Sequence, residues 1–210
     1  GLNCMIKKLM GVFIAINGVG CGISLFLQSG LGSDPIGVLC DGISRSLNIS
    51  IGQASLIYNL IVILIAAIVA KGNLGLGTVI YALLSGYFID FYNWIFAPLK
   101  IGELNFLGRL AVYVIGEILL AAALAMLIYF KLGMNALDAV LYKVNSLTGI
   151  SYAVLRTGCD ILYSILGVIL GGVFGIGTLI SFLTTGYLVG KFTRIMDAMN
   201  RLNKDNKSYS

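Results

Sequence analysis

Six stretches of this chain are apolar enough and long enough to cross a lipid bilayer, and nothing else in the sequence limits its fold so tightly. They lie at about 9–28, 52–70, 75–97, 108–130, 153–171 and 176–195. The hydrocarbon layer is roughly 30 Å thick, which a helix rising about 1.5 Å per residue crosses in about 20 residues. Within lipid each stretch must be helical, because no water is there to take up an unpaired amide. The expected fold is an all-α polytopic membrane protein. Composition agrees: 59% of residues are hydrophobic and 11% charged, where a soluble domain carries about a quarter charged. The first run resembles a signal peptide, but it is longer than a usual apolar h-region and shows no clear cleavage site. It is expected to remain as a helix.

The charges that do occur are placed unevenly. Lys7 and Lys8 precede the first run, and Lys191, Arg194, Arg201, Lys204 and Lys207 follow the last. This is the positive-inside pattern, and it puts both termini in the cytoplasm. Basic and aromatic residues do not interleave, so no nucleic acid is expected as a partner. The chain has no histidine, and its four cysteines show no metal-ligand spacing. That removes metal sites and every triad that needs an imidazole. There is no HExxH, no nucleophile elbow and no clear pair of catalytic aspartates, so enzyme activity is not expected and no cofactor is implied. A Walker A motif is missing too, so an ATP-driven role would need partner subunits.

Two shorter stretches, 33–47 and 134–148, are half apolar and too short to cross. Each lies between the first and second span of its half, and their likeness belongs to an internal repeat. Leu31-Gly32 matches Leu132-Gly133, Ile49-Ser50 matches Ile150-Ser151, and Asn59 aligns with Asp160. After a one-residue deletion, Gly75-Leu76-Gly77-Thr78 matches Gly175-Ile176-Gly177-Thr178, and Gly86-Tyr87 matches Gly186-Tyr187. The expected units are repeat 1 at about 9–98 and repeat 2 at about 108–197, forming one membrane domain over 1–197, with a loose polar tail at 198–210. If the short stretches fold back, the halves are inverted; if they cross as broken helices, the halves are parallel. Counting lysines and arginines does not separate the two, whereas length and polarity favour the inverted form. Repeated units of this kind are typical of transporters, with the solute between the halves.

The run Leu-Gly-Ser-Asp-Pro-Ile at 31–36, then Asp41-Gly42-Ile43-Ser44, Ile-Ser-Ile-Gly at 49–52 and Gly-Leu-Gly-Thr resembles the YczE/YyaS/YitT group of bacterial membrane proteins. The second half is closer still, with Arg156-Thr157, an acid at 160, Gly171-Gly172 and Gly175-Ile176-Gly177-Thr178. The resemblance covers nearly the whole chain. It implies a bacterial inner-membrane protein, with transport as the general expectation. One departure stands out: members of the group often carry an Asp shortly after the first-half proline, where this chain has Gly37, and only Asp138 keeps an acid at that place. The halves are therefore expected to contribute unequally to a site.

Ionisable groups inside a membrane cost about 2.5–3.5 kcal/mol each on insertion scales, so each needs a reason. Arg156 and Asp160 lie one turn apart on the fifth span. They read either as a self-neutralising pair or as a guanidinium offered to an anionic solute and braced by its neighbour. Asp138 is either a carboxylate held within the membrane or an exposed acid on a surface helix. Asp34, before Pro35, is a candidate N-cap or a ligand contact. Asp41 and Arg45 read as a solvated surface pair. Glu117, in the fourth span, either couples proton movement or bonds a neighbouring helix. Thr78 and Thr178 follow Gly-x-Gly at helix starts, where they either cap or help cradle an anion. Gly18 with Gly22, and Gly186 with Gly190, have the spacing that lets membrane helices touch.

The function these residues suggest is a permease for a small polar, anionic or zwitterionic metabolite, bound near Asp138, Arg156, Asp160 and Asn59, with Asn135 and Asp34 heading the short stretches. The alternatives are the solute-capturing subunit of an ATPase-driven vitamin importer and a non-transporting accessory protein. Lipid and solute are the expected partners, and a homodimer or ATPase subunits remain open.

Overall fold

The computed structural model describes residues 1–133 and 135–208, without the side chains of 205–208. Met134, which opens the second short stretch, and residues 209 and 210 of the tail lie outside the described residues. The helices are α1 (Leu2–Ser29), α2 (Pro35–Leu47), α3 (Ile51–Val69), α4 (Leu76–Phe96), α5 (Phe106–Phe130), α6 (Ala136–Thr148), α7 (Tyr152–Ile169) and α8 (Ile176–Ser208). No strand occurs among the described residues.

Among the described residues, five segments are long and apolar enough to cross a membrane: Leu2–Ser29, Ile51–Val69, Leu76–Leu99, Phe106–Phe130 and Tyr152–Ile169. The sixth expected span forms the first part of α8, where Thr178, Ser181, Thr184, Thr185 and Lys191 dilute it. Large apolar side chains such as Leu64, Ile68, Leu119, Ile165 and Leu183 stand exposed on the outside of the bundle, as a lipid-facing surface requires. The protein is an all-α polytopic membrane protein. The tail expected to be loose after 197 is instead helical as far as Ser208, a continuation of α8.

The starts of the helices follow from local sequence. Ser50 accepts from Gln53 N–H at 3.1 Å while Ser50 N–H donates to Gln53 Oε1 at 3.0 Å, so the expected capping box opens α3. Ser151 opens α7 by accepting from Val154 N–H at 3.4 Å. Asn135 opens α6 by accepting from Leu137 N–H at 3.0 Å.

Small residues bring α1 and α5 together at the centre. A Cβ on Gly18 would lie 2.9 Å from Ala123, and one on Gly22 would lie 2.8 Å from the Gly116 carbonyl oxygen. Nearer its end, α1 meets the start of α5, where Arg109 Nε donates to the Ser29 carbonyl at 2.7 Å. Numbers rise along α1 as they fall along α5, so the two run in opposite directions. α4 runs alongside α1 in the same direction, fastened by Tyr92 OH to Asn17 at 3.0 Å and Ser24 Oγ to Asn93 at 2.8 Å. α8 runs with α5, fastened by a 2.6 Å hydrogen bond between the hydroxyls of Tyr113 and Ser181. The start of α1 and the end of α8 therefore share one face of the bundle.

Two matched contacts tie the ends. Gly77 N–H donates to Leu132 O at 2.7 Å, and Gly177 N–H donates to Leu31 O at 2.9 Å. Gly32 and Gly133 follow at φ of 96° and 123°, and a Cβ on either would lie 2.5 Å from the Oγ1 of Thr178 or Thr78 respectively. Only glycine fits both the backbone angle and the space.

α2 and α6, of 13 residues each, span about 20 Å and do not cross. α3 begins beside the later part of α4, where Gly52 N–H donates to Asp90 at 2.8 Å. The chain thus enters α3 from the end at which α1 left off, and α2 is a turn-back. α6 is its counterpart before α7. One surface pair needs correction: Asp41 is buried, not solvated. Its Oδ1 accepts from Arg45 at 3.0 Å and its Oδ2 from Val173 N–H at 2.9 Å, so it ties α2 to the α7–α8 connection.

Candidate functional site

One face of α7 is polar. Tyr152, Arg156, Asp160 and Tyr163 recur at three- and four-residue spacing, while Ile161, Ile165 and Ile169 point the other way and are exposed. Arg156 is the hub. Its Nη1 lies 3.2 Å from Asp138 Oδ1 on α6, and its Nε lies 3.3 Å from Asp160 Oδ1 on α7. Tyr152 OH donates to the same Asp138 oxygen at 2.6 Å, and its ring stacks on Tyr142 at 4.6 Å. Tyr58 OH donates to Tyr163 OH at 3.3 Å, which joins α7 to α3.

This cluster is neither sealed nor fully wet. The side chains of Arg156, Asp138 and Asp160 are 32%, 28% and 15% exposed. The Arg156–Asp160 approach is ionic only, and the buried Asp160 Oδ1 receives no hydrogen bond. One cation stands against two carboxylates, and part of its hydrogen-bonding fork remains unspent.

Asp34 stands at the N-cap position of α2, but its side chain makes no capping bond. Its carboxylate instead accepts from Ser33 Oγ at 3.0 Å, and it lies within electrostatic reach of Arg156, Asp160 and Glu117. Gly37 explains the missing first-half acid: a Cβ there would lie 2.5 Å from Asp34 Oδ1 and would collide with Ser33 Oγ. The Asp34 carboxylate occupies the space that a side chain at 37 would need.

The remaining sequence candidates are placed elsewhere. Asn59 fastens α3 to α4, donating to Ser85 Oγ at 3.0 Å and to the Ala82 carbonyl at 3.3 Å. Asn135 caps α6. Glu117, 2% exposed, lies between α5 and α8, where Ser181 Oγ donates to it at 2.9 Å and Thr184 and Thr185 also contact it. Thr78 and Thr178 accept from Gly75 and Gly175 N–H at 3.2 and 3.3 Å, and the next amides, Gly77 and Gly177, are taken by Leu132 and Leu31. Two surface hollows, one lined by Leu9, Met10, Phe13 and Ile14 and one by Arg194, Asp197 and Arg201, lie away from the Arg156 cluster. Sequence reasoning missed Tyr152, although it is one turn before Arg156 and on the same face.

A family profile described as a family of unknown function, DUF6198, matches residues 6–194. The chain is 29% identical over 203 residues to the uncharacterized protein YyaS of Bacillus subtilis, covering 96% of this chain and 100% of that one. It is 30% identical over 190 residues to an uncharacterized protein of Haemophilus influenzae, covering 90% and 85%. It is 24% identical over 171 residues to the uncharacterized membrane protein YczE of Bacillus subtilis, covering 80% and 77%. No solved structure matches.

Proposed function

This chain belongs to the family of unknown function DUF6198, and on that footing we propose that it is a membrane carrier for a small anionic or zwitterionic metabolite, held at Arg156. The carrying observation is that guanidinium: part exposed, set between Asp138 and Asp160, and oriented by Tyr152 acting on Asp138. An ion pair serving only to neutralise itself would need one carboxylate. Here two carboxylates hold the fork in place and outnumber its charge, so a solute carboxylate that takes the donors left over does best with a cation of its own. A zwitterion would in turn bring a cation to the acids.

The arrangement of the halves supports this reading. We take them as two copies of one unit in inverted orientation. α1 and α5 occupy matching sequence positions and run oppositely, and the Gly77–Leu132 and Gly177–Leu31 bonds are each other's counterpart. Inverted units with turned-back helices at their interface suit a solute site near the midplane. The duplication also speaks against the importer-subunit alternative. The face bearing both termini holds Lys7, Lys8, Lys71, Lys131, Lys191 and Arg194, against Arg45, Lys100 and Arg109 opposite. That excess orients the termini to the cytoplasm of a bacterial inner membrane.

Screening the purified protein against a metabolite library by thermal unfolding tests the reading. A true solute at a hundred times its dissociation constant adds about 2.7 kcal/mol to stability. Arg156→Ala should remain folded, lose that stabilisation and lose uptake in proteoliposomes. Undiminished binding and uptake by Arg156→Ala would overturn the assignment.

A further inference from the structure

The two halves differ most where their last two helices meet. In the first half α3 and α4 are clasped. Gly52 and Gly86 face each other so closely that a Cβ on either would collide with the other's carbonyl oxygen. Asp90 accepts from Ser50 Oγ at 2.6 Å and from Gly52 N–H at 2.8 Å, and Asn59 donates to Ser85. In the second half α7 and α8 scarcely touch. Ala153 stands where Gly52 would be, Gly190 where Asp90 would be, Asp160 for Asn59 and Thr185 for Ser85. A Cβ on Gly158, Gly186 or Gly190 would meet nothing within 4 Å.

The opening has a direction. α7 and α8 are joined through residues 170–175, at the end where Leu31 meets Gly177. From that joint toward the other end, the face that bears both termini, little holds them together. α3 and α4 are joined at that termini face and stay clasped up to Asp90, toward the opposite one. Asp160 takes the place of Asn59, the residue that reaches across to α4, so by that match the polar side of α7 is the one turned to the seam.

We infer that the α7–α8 seam is the gate of the Arg156 site on the termini face, and that it closes when the Thr185 hydroxyl leaves Glu117 and donates to Asp160. The closed contact takes the place of the Asn59–Ser85 bond with donor and acceptor exchanged, since a carboxylate stands where the Asn59 amide donates. Thr185 is now spent on Glu117, while the buried Asp160 Oδ1 has only Arg156 Nε beside it, at 3.3 Å and outside good hydrogen-bond geometry; closure supplies that oxygen with a well-directed donor. Because Gly52 and Asp90 have no counterparts here, the closed seam is weaker than the α3–α4 clasp, and this is the seam that moves. The inference rests on the carrier reading but is tested without a solute.

The test is oxidative crosslinking in membranes, in a chain whose Cys4, Cys21, Cys40 and Cys159 are replaced by alanine. Ala153→Cys with Gly186→Cys spans the seam, and Ser50→Cys with Asp90→Cys spans a contact already made. The seam pair should form a disulfide within single chains, more slowly than the clasp pair. Adding Asp160→Asn should quicken it about fivefold, as one hydrogen bond's worth of bias toward closure, because the amide no longer holds Arg156 and bonds Thr185 as Asn59 bonds Ser85. No seam disulfide while the clasp pair links, or a rate indifferent to Asp160→Asn, would overturn the gate. Neither result touches the Arg156→Ala binding test, so the gate and the solute site fail separately.

Discussion

The α3–α4 and α7–α8 pairs carry similar residues and do opposite things. Gly86-Tyr87 and Gly186-Tyr187 are the same dipeptide, yet Gly86 lies against the backbone of Gly52 and Gly186 against nothing. The glycine that permits close approach has its effect only when the opposite position is small too and a polar group adds attraction. Gly52 and Asp90 supply these in the first half. Without them α7 keeps most of its surface free, burying only Gly167, and its charges are left accessible. The α7–α8 pair lacks such a clasp beside the Arg156 cluster, and sites are in general drawn from the less stable parts of a fold.

The sharpest way to break this contrast is to fill both glycines. Gly86→Leu places a branched side chain into the Gly52 backbone, and overpacking of that kind should cost about 3 kcal/mol or more. The purified protein should unfold at much lower temperature or fail to stay monodisperse in detergent. Gly186→Leu should stay within about 0.5 kcal/mol of the parent, as substitutions away from packed features do. Equal losses at the two positions would mean that α8 is packed in solution much as α4 is. Next in size is Asp90→Ala, which strips Ser50 Oγ and Gly52 N–H of an ionised acceptor. Thermal unfolding should show a loss of about 1.5–3 kcal/mol in all, since the Ser50 contact is exposed and water replaces part of what is lost. The matching change in the other half, Gly190→Asp, should bring no gain, since no partner on α7 is near.

Much of this was open to reading in the chain itself, because membrane spans are dictated by bulk solvation and helix starts by local hydrogen bonding. Ser50 with Gln53, the glycines of α1, and the Gly-x-Gly-Thr turns all behave as their sequence implies. What stayed hidden depends on relative placement. Asn59 and Asp160 align as one position, but one reaches across to α4 and the other stays on its own helix with Arg156. Gly186 and Gly190 have the packing spacing of Gly18 and Gly22 without the neighbour. Asp41 looked solvated because Arg45 lies one turn away; its burial comes from Val173, 132 residues further on. Tyr152 carries no charge to mark it out, and its hydroxyl meets Asp138 only once α6 and α7 lie side by side.

Tyr152 also gives the smallest of the tests and the one closest to the site. Its first-half counterpart, Ile51, has no hydroxyl, so the bond to Asp138 belongs to the parted half alone. Tyr152→Phe keeps the ring and its stacking on Tyr142 while removing the donor from a carboxylate that still has Arg156. Asp138 is part exposed and water can replace some of what is lost, so the cost to stability should be only about 1 kcal/mol. The larger consequence should fall on binding. With Asp138 less firmly placed, the Arg156 fork loses one of its two orienting neighbours, and a solute found by thermal unfolding should bind Tyr152→Phe more weakly than the parent. Parent-like stability and affinity together would show that Arg156 and Asp160 hold the cluster without help from the start of α7.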